Sequence, residues 1–147
     1  MLSQRYPDDV LVTPDWVRDR LELFADPAAD YRLLEVDLNT AFYDRGHVPG
    51  ALSVDWTEDL QAEHCRDLVG PEAFGRLLGE RGITEDTTVV VYGDNSNWFA
   101  THFHWISSYY RHADVRVMDG GREYWLENGY PTSEAVPTVP AVNYEVR

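Results

Sequence analysis

The most constraining feature of the chain is a run near its middle, TTVVVYG at residues 87–93, which is rich in β-branched residues and carries no charge. Branching at Cβ favours extended backbone, and a strand without polar alternation must be buried on both faces. Strands of that kind lie inside parallel sheets with helices above and below. The remaining sequence has to supply the neighbouring strands and the covering helices.

It does so in an alternating order. An apolar stretch at residues 10–12 leads into Thr13-Pro14-Asp15, where Thr13 suits a helix cap and Pro14 the first helical position. Trp16, Val17, Leu21 and Phe24 recur at helical spacing, which predicts one helix reaching Asp26-Pro27. YRLLEVDL (31–38) reads as a buried strand closed by Asn39-Thr40, and ALSVDW (51–56) as a second short one. After a charged, irregular stretch at 57–69, a helix is predicted from Pro71 to Arg81, stopped by Gly82. The loop GDNSN (93–97) feeds a helix from Trp98 to Tyr110, DVRVMDG (114–120) is the last strand, and residues 121–128 form the last helix before Gly129 and Pro131. This alternation specifies an α/β fold in three layers, α/β/α, around a mostly parallel sheet of about five strands. From Thr132 onward the sequence has no period, so residues 1–131 read as the domain and 132–147 as an extended tail or interdomain linker.

With 147 residues the chain suits a single domain. Its lone Cys65 can close no internal disulfide and supports no thiolate zinc cage, so neither metal nor cofactor is expected. The 26 acidic residues face 12 basic ones, every one an arginine, for a formal charge of −14. Such a surface repels phosphate backbones and anionic leaflets, which argues against nucleic acid and membranes as partners. In molar salt the Debye length falls to about 3 Å and the self-repulsion is screened. The composition therefore fits a halophilic cytoplasm, or else an arginine-favouring genome. No secretion signal opens the chain and no apolar run is long enough to cross a membrane, so a cytoplasmic location is expected.

In a parallel sheet the ligand edge lies beyond the carboxyl ends of the strands, which directs attention to GDNSN. Four segments in order, LLEVDLNTAFYDRGHVPGA, PEAFGRLLGERGI, VVVYGDNSNWFA and DVRVMDGGREYW followed by GYP, resemble the rhodanese family of sulfurtransferases. The resemblance covers nearly the whole chain and is closest to the N-terminal half of the family's tandem members. It implies a rhodanese-like fold and, in active domains, a cysteine straight after the strand tyrosine, at the head of a loop that cradles a persulfide. Here that position is Gly93.

Sulfane-sulfur transfer needs a sulfur nucleophile, and neither Asp94 nor Ser96 can replace one. The loop of Gly93, Asp94, Asn95, Ser96 and Asn97 is thus expected to be degenerate, with Asn95, Ser96 or Asn97 capping the next helix. By resemblance the chain is the non-catalytic half of a thiosulfate or 3-mercaptopyruvate sulfurtransferase. Its implied partners are a second rhodanese domain in the parent chain and a small sulfur-containing anion at their interface. Two alternatives stand beside this reading: a stand-alone binding module, and an enzyme that uses Cys65. Cys65 follows His64 as in cysteine phosphatases, but Pro71 stands where the phosphate-clamping arginine would be, which favours an incidental cysteine.

Other residues have bounded roles. Trp98, Trp105 and Tyr109 form a second apolar stripe on a helix whose first stripe is Phe99, Phe103, Ile106 and Tyr110. Covering a sheet takes one stripe, so the second predicts an exposed docking face. Arg122, at the ligand edge, is expected in a surface salt bridge or in contact with a docking anion. His47 in RGHVPGA ties a turn, and Asp37 bonds loop N–H groups. His102 and His104 lie roughly 200° apart around a helix and cannot share a metal.

Overall fold

The computed structural model describes residues 10–26, 28–38, 40–56, 69–94, 97–112, 114–144 and 146. Among these residues five strands form one parallel sheet: β1 (Leu11–Val12), β2 (Tyr31–Asp37), β3 (Ala51–Asp55), β4 (Thr88–Tyr92) and β5 (Val115–Met118), in the order β1-β5-β4-β2-β3. The charge-free run is the central strand, β4, flanked by β5 and β2.

The period-two alternation of each strand divides the core into two layers. On one face Leu34, Val36, Val89 and Val91 pack with Phe74, Leu77 and Leu78 of α4 (Pro71–Glu80) and with Ala100, Phe103 and Ile106 of α5 (Trp98–Tyr109). On the other, Leu33, Val90 and Tyr92 meet Val17 of α1 (Pro14–Arg18), Phe24 of α2 (Leu21–Ala25), Tyr43 of α3 (Ala41–Asp44) and Trp125 of α6 (Gly121–Glu127). The result is a three-layer α/β/α sandwich with an all-parallel sheet. Among the described residues, no helix is long and apolar enough to cross a membrane.

The first helix departs from its sequence pattern. Thr13 caps it as expected, accepting from the Trp16 N–H at 3.1 Å, but the helix stops at Arg18 and a second begins at Leu21. An arginine side chain folds back at the break. The Arg20 guanidinium lies 4.0 Å from the Trp16 ring centroid and its Nη1 donates to the Trp16 carbonyl at 3.0 Å. That carbonyl is the one the Arg20 N–H would have taken in a continuous helix; instead the N–H goes to Val17 O at 2.9 Å.

The segment after Thr132 is extended and lies against the sandwich. Ser133 bridges His47, Val142 N–H donates to Gly79 O at 2.8 Å, and Tyr144 and Val146 pack against the α4/α5 core layer. Its seat is made by two glycines one helical turn apart on α4. A Cβ added at Gly75 would lie 2.7 Å from Tyr144 O, and one at Gly79 2.3 Å from Val142 O. Alanine in mid-helix ordinarily stabilises by about 1 kcal/mol over glycine. At Gly79 the lost seat dominates, and Gly79→Ala is expected to destabilise by about 1–3 kcal/mol in urea unfolding. Gly70, whose added Cβ would meet nothing within 4 Å, serves as the control. A Gly79→Ala protein as stable as its parent would show that the tail is not seated there.

Candidate functional site

At the carboxyl end of the sheet the loop after β4 is held by backbone and side chains from three directions. Gly93 N–H donates to Asn97 Oδ1 at 3.0 Å, and Asn97 Nδ2 donates to Met118 O at 2.6 Å, tying the loop to the end of β5. Arg122 N–H donates to Gly93 O at 3.0 Å, and Asp94 N–H donates to Asp37 Oδ1 at 3.0 Å. Asn97 itself takes a left-handed conformation, φ 67°, and caps nothing with its side chain. Of the three candidate caps Asn95, Ser96 and Asn97, Asn97 does not cap the following helix: its amide is consumed in joining two loops. Asn95 and Ser96 lie outside the described residues, as do His64 and Cys65.

Gly93 is crowded. A Cβ placed on it would sit 2.0 Å from Val36 O and 3.3 Å from Asp37 Oδ1, because the ends of β2 and β4 converge there. This backbone has no room for a side chain at the position after the strand tyrosine.

Beneath the loop runs a buried polar network that the sequence reading did not assemble. Glu35 and Asp37 lie two residues apart on one face of β2, and both are fully buried. Glu35 Oε1 accepts from Tyr92 OH at 2.6 Å and from Arg122 Nη1 at 2.8 Å. Tyr92 OH in turn accepts from Val48 N–H at 3.0 Å, and Arg122 Nη2 donates to Phe42 O at 2.6 Å. Arg122 is thus a buried ion-pair partner with its side chain 9% exposed, which corrects the expected surface salt bridge. A glutamate inside an apolar strand was the signal available, since a buried carboxylate needs a donor of opposite charge. What the sequence could not show is that the donor lies 87 positions away.

Burial, reinforced by the neighbouring carboxyls of Glu35 and Asp94, pushes Asp37 up to about 10. Burial and the adjacent Glu35 also hold the Tyr92 phenol well above its usual range. His47, as expected of a turn tie, is buried, stacks on Tyr43 at 3.8 Å, and reaches Tyr43 O and Ala135 O with its two ring nitrogens.

A cleft of about 630 Å³ opens beside the loop, lined by Leu38, Phe42, Arg45, Asp94, Arg122 and Leu126 among others. On the opposite face of the sheet, Trp98, Trp105 and Tyr109 project from α5 with exposures of 72%, 56% and 61%. Trp105 stacks on His102 and Tyr109, each with ring centroids 6.0 Å apart, and Trp98 stacks on Phe99, so the second stripe is largely aromatic. Among the described residues no group of three or more His, Cys, Asp or Glu is placed to hold a metal ion.

Comparisons with known proteins agree with this architecture. A protein of Haloferax volcanii named "Putative thiosulfate sulfurtransferase" is 46% identical over 147 residues, covering 100% of this chain and 51% of that protein. The sulfur carrier protein TtuD of Thermus thermophilus is 46% identical over 138 residues, 94% of this chain and 47% of the relative. The chain thus spans about half the length of these curated relatives. Among solved structures, the 3-mercaptopyruvate sulfotransferase SseA from Escherichia coli superposes with a TM-score of 0.80 over 93% of this chain and 55% of its own, at 21% identity, a likeness of fold. The model of the rhodanese-like domain matches residues 13–128, nearly the whole sandwich, and the chain belongs to the rhodanese-like domain family.

Proposed function

We propose that this domain is the N-terminal, non-catalytic half of a tandem sulfurtransferase whose sulfur-carrying cysteine lies in a second rhodanese domain. The observation that carries the reading is Gly93: the residue after the strand tyrosine has no side chain, and an added Cβ would meet Val36 O. A persulfide needs a thiolate, and the neighbouring Asp94 carboxylate cannot store sulfane sulfur. The half-length coverage of the relatives supports a partner domain in the same chain. So does the uncovered aromatic face of α5, because an apolar surface of that kind marks an interface more often than free surface. Tyr109, at one end of that face, borders the same depression as Val146, which brings the end of the described chain beside it. The partner domain would cover this face, and a small sulfur-containing anion would bind near the junction.

The test is sulfur transfer from thiosulfate or 3-mercaptopyruvate to cyanide. The chain by itself is expected to show no turnover above a heat-killed control. The full-length parent protein, including any coding sequence that follows Arg147, is expected to be active and to lose activity on treatment with iodoacetamide. Turnover by the 147-residue chain alone would overturn the proposal.

A further inference from the structure

The carboxyl pair under the loop presents an accounting problem. Among the described residues, Glu35 Oε2 and Asp37 Oδ2 are both buried and neither meets a donor, although Glu35 Oε1 accepts two hydrogen bonds and Asp37 Oδ1 one. The two side chains leave the same face of β2, two residues apart. Two ionised carboxylates side by side, each with an oxygen facing no donor, would be strongly unfavourable away from water. One proton placed between them supplies the missing donor and satisfies both orphan oxygens at once.

We infer that Glu35 and Asp37 share a single proton, carried on Asp37 Oδ2 and donated to Glu35 Oε2, and that this proton fixes the loop after β4. The surroundings decide which carboxyl carries it. Glu35 already accepts from a cation, Arg122 of α6, and from the Tyr92 hydroxyl of β4. Asp37 faces the Asp94 carboxylate of the loop and has Asp55 of β3 opposite it in register; among the described residues its one donor is the Asp94 N–H. From α3 the Tyr43 phenol stands near Glu35, with Asp44 beyond it, and neither adds positive charge.

The pair is a positioning device because both ends of the loop depend on it. Asp37 Oδ1 holds the Asp94 N–H, and Glu35 holds Arg122, whose own N–H holds the Gly93 carbonyl. Removing the proton at alkaline pH would set two negative charges against each other directly below Gly93 and Asp94. Since Asp37 is raised in the folded chain, the native state holds one more proton than the unfolded state from about pH 4 to about pH 10. Stability contributed here falls as pH rises through that window, by up to about tenfold in the unfolding equilibrium per pH unit.

Carbon-13 NMR of the intact chain labelled at aspartate carboxyls tests this directly. The Asp37 resonance is expected to report a neutral acid at pH 7 and to move only towards pH 10. In Asp37→Asn the amide Nδ2 replaces the shared proton as a permanent donor to Glu35. That variant is expected to lose the alkaline titration while the fall in stability between pH 5 and pH 9 flattens by nearly one proton. An Asp37 carboxyl that ionises below pH 6, or an unchanged pH slope in Asp37→Asn, would overturn the inference. If Asp37→Asn fails to fold, the wild-type titration alone decides.

Discussion

Replacing Gly93 with cysteine is expected to destabilise the domain by about 3 kcal/mol and to create no sulfurtransferase activity. By the resemblance this substitution places a cysteine where active domains carry one. The geometry opposes it: the new Cβ would fall 2.0 Å from Val36 O, at a point where Gly93 N–H and C=O are already committed to Asn97 and to Arg122 N–H. Accommodation requires β2 and β4 to part at their ends, which breaks those bonds and the Asp94 N–H bond to Asp37 together. For a domain of this size the expected loss corresponds to a fall in melting temperature of about 10 °C. Calorimetry measures that loss, and a cyanolysis assay measures the activity. A Gly93→Cys protein that melts with its parent, or that accepts sulfane sulfur, would show that the loop is more plastic than its hydrogen bonds indicate.

The second large effect concerns Arg122. Arg122→Met is expected to cost about 3–5 kcal/mol, because Glu35 stays buried after its cation is removed. The same substitution also strips a donor from Phe42 O. The double variant Glu35→Gln with Arg122→Met removes the stranded charge along with its partner, and should recover most of that loss. Urea unfolding of both singles and the double gives the coupling energy as a cycle. A loss below about 1 kcal/mol in Arg122→Met, or a double variant no better than it, would mean that the pair contributes as a surface ion pair does. Both predictions concern residues that hold the loop after β4 in place.

What could be read from the sequence followed from local periodicity. The charge-free run at residues 87–93 required a buried strand, and β4 is the centre of the sheet. The second apolar stripe of α5 required an unpartnered face, and all three of its aromatic residues project outward. Caps and stops were legible where the signal was a neighbour's chemistry, as at Thr13, Pro71 and Gly82. The first helix shows the limit of that reading, since it breaks at Asp19 and Arg20, where the Arg20 side chain folds back onto Trp16.

Legibility ended where a residue's role depends on a distant partner. The sequence by itself determined that the strands and helices alternate, that the sheet is covered on both faces, that no thiol follows the strand tyrosine, and that the formal charge is −14. Only the tertiary structure decided the strand order, the pairing of Arg122 with Glu35, the seating of the tail on Gly75 and Gly79, and the crowding of Gly93 by Val36. The physical reason is range. Backbone propensity and burial pattern are written within a turn or a few strand residues. Ion pairs, shared protons and close backbone approaches are set by contacts between segments that only the completed sheet brings together.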